Sequence, residues 1–311
     1  MRLASMSSKI PSDRIPAEHI AKAAGSSVIE AKVFSRLFGI ESVSAHNKEM
    51  DLQSALSQVL SEAIERMTPN EVDTLIYVHA FPIQCSDDTD IVSDVIKKTP
   101  GLSKVKQHFE IDQHNCAGGF WGLSLAQNLL SSGKAQRIAI VVGDTFQHFT
   151  PNERYIPGCT MMADGFVALI VDELAGEWQI EKVFTNHNTE FHQGLFGGDE
   201  QNKAFYQAHD SLVSDALRAL DDDVYPFDAI LPHNINRVSW MNFIRRFPNN
   251  EKRLDLGLLP DIGHCCAADP FLLLEQYYQQ STLNKKKFAL VSIGSGGFVG
   301  ACSIARHELN A

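Results

Sequence analysis

The chain has 311 residues, 44% of them hydrophobic and 21% charged, which is typical of a globular protein with a large core. Its net charge of −11 argues against nucleic acid and anionic membranes as partners. No apolar run reaches the roughly 18 residues that a membrane-spanning helix needs. Because the polar start at residues 1–8 is also unlike a secretory signal, we expect a cytoplasmic protein.

In chain order, apolar strands alternate with helices. The sequence predicts a first strand at residues 2–7 and a broken helix at residues 16–38 that ends at Gly39. It also predicts an amphipathic helix at residues 51–67. This alternation predicts an α/β protein with mainly parallel sheets covered on both faces. The other predicted strands are 73–80, 138–142, 165–171, 178–184, 229–231, 287–293 and 298–305, and the other predicted helices are 87–98, 118–130, 211–220, 239–247 and 265–280.

Residues 112–130 begin as a buried turn and continue as a helix with an apolar face. Cys116 lies where the preceding strand ends and this helix begins. The free N–H groups and positive end of a helix favour an anion, so the Cys116 thiol should ionise easily. The pair Gly118 and Gly119 lets another part of the protein approach closely. The stretch therefore suggests a nucleophile, although a small structural cysteine at a tight turn has the same pattern.

The second half of the chain repeats this stretch. Residues 261–276 align with residues 112–127 without gaps at an offset of 149 (261 minus 112), which pairs Cys116 with Cys265. Three further pairs follow in the same order, which argues for an ancient duplication. We therefore divide the chain into an N-terminal half, residues 1–172, and a C-terminal half, residues 173–311. The further pairs are 73–79 with 228–233, 137–143 with 287–294, and 165–168 with 297–300.

Polar residues follow several predicted strands, where α/β proteins place their sites. His233 follows one strand, His264 precedes the repeat of the cysteine turn, and residues 294–297 are a glycine-rich run with exposed N–H groups. Together with Cys116 they supply a nucleophile, proton-transferring groups and an oxyanion donor, which is a set for acyl transfer. Each histidine taken alone is more often a buried structural side chain. The duplication changes that balance because it brings the loops of both halves to one cleft.

The six cysteines show neither a C-x-x-C pair nor zinc-ligand spacing, which favours reduced thiols without a bound metal. We expect Cys116 to be the only acylated cysteine, because it alone combines a helix N-terminus with an oxyanion donor. Three others are expected to be inert core thiols. The six are Cys85, Cys116, Cys159, Cys265, Cys266 and Cys302, of which the expected inert ones are Cys159, Cys265 and Cys266.

The whole chain resembles the thiolase superfamily, and most closely its β-ketoacyl-acyl carrier protein synthase III branch. The resemblance implies two copies of a mixed-sheet unit in a five-layer αβαβα sandwich, usually as a homodimer. The matching motifs lie, in order, at residues 115–120, 163–165, 233–236, 263–268 and 296–300.

The resemblance also implies roles. Cys116 takes an acyl group as a thioester and His233 assists, while the backbone N–H groups of Cys116 and Gly297 hold the oxyanion. A second thioester, typically malonyl on a carrier protein, then loses CO₂, and its enolate attacks the Cys116 ester. Asn236 and Phe298 are placed among the substrate-binding or carrier-binding residues. No bound cofactor is implied, since the acyl donors are carrier-protein or CoA thioesters.

The chain departs from the synthase III branch in three places. His264 stands where that branch has asparagine, which gives a Cys-His-His set. Because neutral imidazole can donate to a thioester carbonyl as an amide does, we expect His264 to act mainly in the second half-reaction. His114 and Asn115 replace small residues and should narrow or polarise the entrance. Residues 33–39 are expected to lack both the tryptophan and the arginine that many relatives use to grip the adenine end of CoA, which favours carrier-bound donors and a specialised pathway.

Three functions remain open. The first is a decarboxylating Claisen condensation, and the second is acyl transfer from Cys116 to an alcohol or amine with His233 as general base. The third is a non-catalytic partner subunit, although such subunits generally lose the nucleophile that this chain keeps. The sequence specifies neither the acyl chain nor the acceptor.

A basic cluster follows the His233 loop within 17 positions (253 minus 237, plus one) of an acidic protein. Charge clustering alone favours a solvated basic face. The resemblance favours instead a docking surface for acyl carrier protein, which is strongly acidic, with positive charge steering the encounter. Arg245 and Arg246 should then project near the mouth of the site. The cluster consists of Arg237, Arg245, Arg246, Lys252 and Arg253.

Overall fold

The computed structural model describes residues 1–46, 50–81, 84, 90–194, 197–221, 227–280 and 285–307. Strands and helices alternate through these ranges. The strands are β1 (Arg2–Lys9), β2 (Asp13–Pro16), β3 (Ser42–Ala45), β4 (Thr74–Val78), β5 (Gln107–Ile111), β6 (Arg137–Asp144), β7 (Tyr155–Ile156), β8 (Thr160–Met161), β9 (Gly165–Asp172), β10 (Trp178–His187), β11 (Ala229–Pro232), β12 (Lys287–Gly294) and β13 (Phe298–Arg306). The helices are α1 (Ala17–Ala23), α2 (Val28–Phe38), α3 (Leu52–Glu65), α4 (Ile91–Lys98), α5 (Gly118–Ser131), α6 (Gly198–Leu220), α7 (Arg237–Arg246), α8 (Leu259–Ile262) and α9 (Asp269–Tyr278).

Local signals account for the helix ends that matter to the fold. The predicted broken helix is α1 followed by α2, where the Ser27 hydroxyl accepts from the Glu30 N–H and the Glu30 carboxylate accepts in return. Gly39 ends α2 with φ 76°, a conformation that favours glycine. The Asp51 carboxylate accepts from the Ser54 N–H at 2.6 Å and starts α3. These predictions are confirmed.

The main sheet repeats one strand order in both halves. Its order is β11-β12-β13-β10-β1-β9-β6-β4-β5, so β4, β6, β9 and β1 of the first half correspond to β11, β12, β13 and β10 of the second. The halves join through two residue pairs between β1 and β10. An isolated parallel bridge between Ile230 and Leu254 stands where the second half would have its counterpart of β5. The predicted duplication is therefore confirmed.

The prediction of mainly parallel sheets is wrong. Within the main sheet, β4 pairs in parallel with β5 and β6, and β11 with β12, whereas the other five neighbouring pairs are antiparallel. The prediction came from continuous apolar runs such as β9, in which all eight residues are buried. Such runs indicate burial on both faces, and here both faces of antiparallel strands are covered as well.

Five layers build the molecule, as the α/β thiolase-like prediction states. Helices α5 and α9 lie in the middle and contact strands of both halves. Helix α3, with α4 beside it, covers the outer face of the first half, and α6 and α7 cover that of the second. The middle helices approach closely at Gly119, where a Cβ would lie 2.4 Å from the Phe271 ring. The predicted boundary at residue 172 falls between β9 and β10, and the division of the chain there stays a prediction.

The two halves match at an offset different from the predicted one. Each central helix follows a 3₁₀ turn that opens with a residue of positive φ, Asn115 at 49° and Cys266 at 52°. These residues are 151 positions apart (266 minus 115), as are the helix starts Gly118 and Asp269 (269 minus 118). The gapless offset of 149 is thus wrong by two residues, because sequence identity at the cysteines outweighed the turn geometry.

None of the helices in the described ranges is long and apolar enough to cross a membrane.

Candidate active site

Cys116 lies in the 3₁₀ turn Asn115–Ala117, directly before the N-terminus of α5. The end of β12 packs closely against this turn. Only glycine fits at position 294, because an added Cβ would lie 2.7 Å from the His114 carbonyl oxygen. The Ser295 N–H donates to Asn115 Oδ1 at 3.1 Å. The first half thus supplies the cysteine, and the second half fixes the turn that presents it.

His264 contacts the cysteine, and Asp269 holds the histidine. His264 Nε2 lies 3.2 Å from Cys116 Sγ, and His264 Nδ1 lies 2.5 Å from Asp269 Oδ2. The Asp269 carboxylate also accepts from the N–H groups of Cys265 and Asn234, at 2.7 and 2.6 Å. A carboxylate held in this way fixes the ring so that Nε2 faces the sulfur.

The neighbours of this pair set its ionisation. The Cys266 thiol donates a hydrogen bond to the Cys116 sulfur and, with the positive charge on His264, lowers the pKa of Cys116 to about 6, although burial acts in the opposite direction. Burial lowers the pKa of His264, but the charges on Cys116 and Asp269 outweigh it and raise that pKa to about 10. Near neutral pH the two side chains therefore form a thiolate–imidazolium pair.

Asp269 is the site residue that the sequence analysis missed. It is the first residue of α9 and is completely buried. Its signal was an acidic residue before Pro270, five positions after His264 and within the helix predicted at 265–280. That pattern commonly marks an ordinary helix N-terminus. The carboxylate points to His264 only because the turn at residues 266–268 folds back, and the sequence does not reveal this.

His233 follows β11 and lines the same cavity as Cys116. Its ring centroid lies 6.0 Å from that of His264, and its carbonyl oxygen accepts from the Trp240 indole N–H at 2.9 Å. Burial and the nearby histidines His209 and His264 lower the pKa of His233 well below its ordinary value, so the ring is neutral. Within the described part of the chain, His233 Nδ1 is buried without a hydrogen-bond partner. A neutral imidazole carries one proton, on Nδ1 or on Nε2.

These three side chains share a narrow cavity of about 60 Å³. It also reaches Asn202 and Tyr206 of α6, and both of these residues line an open groove at the surface beside Asn242 of α7. The groove and the cavity therefore share two lining residues. Apolar side chains form much of the wall, among them Phe81, Ile156, Met162, Phe205, Ile235 and Ile293.

The predicted oxyanion and binding residues have other contacts. The Gly297 N–H donates to the Gly294 carbonyl oxygen at 3.2 Å within the turn before β13. Asn236 uses both ends of its side chain inside the protein, since Oδ1 caps α7 at the Ser239 N–H and Nδ2 donates to the Cys159 carbonyl oxygen. Phe298 stacks on His187 with 4.2 Å between ring centroids. Their roles toward a substrate stay predictions.

The side chains of His114 and Asn115, both expected at the entrance, have different surroundings. Asn115 lines the cavity, whereas the half-buried His114 stacks on Trp121 with centroids 4.2 Å apart. Asn115 is therefore the residue of the two that polarises the cavity.

The predicted carrier-docking arginines are exposed on α7. Arg245 donates to Asn242, which lines the surface groove, and Arg246 donates to Ser211 of α6. Arg237 lies over the end of α2, where a Cβ on Gly39 would be 2.7 Å from its Nε.

Arg36 is exposed within residues 33–39 and offers a cation for a CoA diphosphate, so only the missing tryptophan supports the predicted preference for carrier-bound donors.

The cysteines differ in their surroundings. Cys116, His264 and Cys266 place two sulfurs and a nitrogen within 4.8 Å of one another. Such atoms can serve as ligands of a soft metal ion or as a thiol–imidazole proton network, and the predicted absence of a metal stays a prediction. Cys265 points away, with its sulfur 3.5 Å from the Asp164 carbonyl oxygen. Burial raises the pKa of Cys159 to about 12. Cys85 lies outside the described residues.

Comparisons with known proteins agree with the fold. Residues 109–188 match the family described as 3-oxoacyl-[acyl-carrier-protein (ACP)] synthase III. Over 219 residues, the chain is 23% identical to the β-ketoacyl-[acyl-carrier-protein] synthase III of Xanthomonas campestris pv. campestris, a match that covers 62% of this chain but only 65% of that relative.

Solved structures match over almost the whole chain. ChlB3, described as an acyltransferase, has a TM-score of 0.80 at 15% identity, with 98% of this chain and 97% of that chain covered. FabH of Pseudomonas aeruginosa, a 3-oxoacyl-(acyl carrier protein) synthase III, has a TM-score of 0.77 at 17% identity, with 100% and 99% covered.

The chain has the α/β fold of these solved structures, with a cysteine at the start of a central helix. Its sequence is similar to that of 3-oxoacyl-[acyl-carrier-protein] synthase III, as its motifs predicted.

Proposed function

We propose that the protein is an acyltransferase that loads an acyl group on Cys116 and condenses it with a malonyl-type thioester. The arrangement of Cys116, His264 and Asp269 carries this proposal. A thiolate 3.2 Å from an imidazolium that a buried carboxylate holds in place is an activated nucleophile. The similarity to 3-oxoacyl-[acyl-carrier-protein] synthase III supports the reaction class.

In the first half-reaction, the Cys116 thiolate attacks the carbonyl carbon of a carrier-protein or CoA thioester. The backbone N–H of Cys116, at the positive end of α5, stabilises the tetrahedral oxyanion. Gly297 is the other proposed donor and would exchange its bond to Gly294 for the oxyanion. Collapse of the intermediate expels the donor thiol, which takes the proton from His264. In this proposal His264 serves acyl loading as well as the second half-reaction.

In the second half-reaction, the carbonyl oxygen of the malonyl-type thioester accepts a hydrogen bond from Nε2–H of His233. His264 gave its Nε2 proton to the donor thiol, so it becomes a second donor only after Nε2 takes a proton from water. Loss of CO₂ leaves an enolate whose charge these donors stabilise. The enolate carbon attacks the Cys116 thioester, a carbon–carbon bond forms, and the Cys116 thiolate leaves. The product is a 3-oxoacyl thioester.

Transfer to an alcohol or amine without decarboxylation is the second candidate. The His264–Asp269 pair favours it, because a histidine oriented by a carboxylate is a good general base once the thiolate is acylated. ChlB3, which is described as an acyltransferase, has the same fold. The contacts in the cavity argue against a non-catalytic subunit, since Cys116 contacts His264 and His264 contacts Asp269.

The acyl group and the partner complete the proposal. A cavity of about 60 Å³ holds only a few atoms, so short acyl groups are favoured over long chains. An acyl carrier protein would dock on α7, where exposed Arg245 adjoins the surface groove through Asn242. The homodimer implied by the family resemblance is proposed as well.

Intact-protein mass spectrometry with a panel of acyl thioesters tests the loading step. We expect a short acyl group on wild-type protein and on Cys265→Ala, the matched control, but none on Cys116→Ala. Adding malonyl carrier protein to the loaded enzyme should then release CO₂ and remove the acyl group. Label that survives in Cys116→Ala contradicts the proposal, and unloading by an alcohol or amine without CO₂ release favours the second candidate.

A further inference from the structure

Cys266 is a second thiol beside the nucleophile. The sulfurs of Cys116 and Cys266 and a ring nitrogen of His264 lie within 4.8 Å of one another, which places the two thiols side by side. Both residues line the same cavity. The acyl-transfer steps above give Cys266 no covalent role, and the expectation that it is an inert core thiol stays a prediction.

The backbone at Cys266 holds the thiol there. Its φ of 52° is unusual for a residue with a side chain, and this residue opens the turn that leads to Asp269. The neighbouring thiol of Cys265 points to Asp164 and Ser44 instead. One of two adjacent cysteines is therefore directed at the nucleophile and the other away from it, which provides a matched control within the chain.

We propose that Cys116 and Cys266 form a peroxide-reactive dithiol site, in which Cys266 converts oxidised Cys116 into a disulfide that a dithiol reductant can reverse. This site goes beyond the proposed acyl transfer and does not depend on it. The oxidant is hydrogen peroxide, which is small enough to enter the narrow cavity.

The chemistry balances in two steps. The Cys116 thiolate attacks one oxygen of the peroxide, the O–O bond breaks, and Cys116 sulfenic acid and hydroxide form. The Cys266 sulfur then attacks the Cys116 sulfur, and the hydroxyl leaves with the Cys266 proton as water. Peroxide is reduced by two electrons while the two thiols are oxidised. A disulfide needs an S–S distance of about 2.0 Å, which rotation of the two side chains must supply.

The dithiol site protects Cys116 from irreversible oxidation. A sulfenic acid with no neighbouring thiol proceeds to sulfinic acid, which dithiol reductants do not reverse. With Cys266 beside it, formation of the disulfide competes with that second oxidation. The active cysteine would then survive exposure to peroxide in a recoverable form.

Peptide mapping after brief treatment of the whole protein with hydrogen peroxide tests the proposal. We expect a disulfide between the peptides of Cys116 and Cys266 in the wild type and in Cys265→Ser. In Cys266→Ser the disulfide should be absent, and Cys116 should gain two oxygen atoms as sulfinic acid. Dithiothreitol should restore iodoacetamide labelling of Cys116 in the first two proteins but not in the third.

The wild-type protein alone decides the matter if Cys266→Ser does not fold. Sulfinic acid on wild-type Cys116 without any disulfide overturns the proposal, as does a disulfide from Cys116 to Cys159 or Cys265. Acyl loading of the reduced wild type is measured separately. A failure of this proposal therefore leaves the proposed function untouched, and the reverse also holds.

Discussion

The turns before the two central helices have the same backbone conformation but different chemical roles. In the first half, positive φ at Asn115 precedes Cys116, and α5 begins with Gly118. In the second, positive φ at Cys266 opens the turn, and α9 begins with Asp269. One copy of the turn presents the nucleophile, and the other presents the groups that ionise and orient it.

The starts of the two helices explain this division. Glycine at the start of α5 adds no charge, so the positive end of the helix is left for the Cys116 thiolate. At the start of α9, the Asp269 carboxylate accepts from the Cys265 N–H and also holds His264. A duplicated scaffold thus separates nucleophile and base onto two elements, and each can diverge without disturbing the other.

The largest loss of activity is expected when the Asp269 carboxylate of the second turn is neutralised. Asp269→Asn keeps the size of the side chain but cannot hold His264 as an imidazolium. Acyl loading of Cys116 should fall by about 10²- to 10⁴-fold, as when the carboxylate of a catalytic triad is neutralised. Rapid-quench mass spectrometry of the loading rate measures this. A melting temperature recorded beside it separates lost chemistry from lost folding, and an unchanged loading rate in the folded variant would show that Asp269 is only structural.

The next effect distinguishes the two histidines of the second half. His233→Ala should leave acyl loading almost unchanged but lower condensation by about 10²- to 10³-fold, because it removes one donor to the enolate. His264→Ala should lower both steps, because His264 contacts Cys116 directly. Loading and CO₂ release are measured separately for each variant. Equal losses of both steps in His233→Ala would contradict the division of roles.

The smallest effect concerns the surface of the second half. Arg245→Glu should raise the apparent KM for carrier-bound donors by about tenfold, with a smaller effect at high salt, because it reverses a charge beside the groove. Small thioester mimics should react as before. Lys106→Glu, an exposed lysine before β5 at the far edge of the sheet, is the matched control. If both donor types or neither respond to Arg245→Glu, docking at α7 is wrong.

Sequence patterns predicted the layers because the core strands are continuous apolar runs and the helices carry clear end signals. Strand β5 was missed because its residues are only partly buried or exposed, at the edge of the sheet, and three of its five residues are polar or charged. Helix α6 begins 13 residues earlier than predicted (211 minus 198), because its first turns carry mostly polar residues.

The site was predictable in its parts and not in their contacts. Cys116, His233 and His264 were identified, since strand ends and the repeat point to them. The role of Asp269 and the contact between Cys116 and Cys266 depend on how two distant turns meet, which no local pattern records. Asn236 shows the opposite case, because an asparagine three residues before Ser239 at a helix start is a readable cap.

The central claim is that Cys116 and His264 form a thiolate–imidazolium pair, and the pH dependence of Cys116 alkylation tests it most directly. Iodoacetamide reacts with the thiolate, so the rate should rise with pH through a midpoint near 6, the lowered pKa of Cys116. In His264→Gln, which removes the positive charge, the midpoint should move upward by at least one unit. A wild-type midpoint near the ordinary thiol value of about 8.5, unmoved by His264→Gln, would contradict the account.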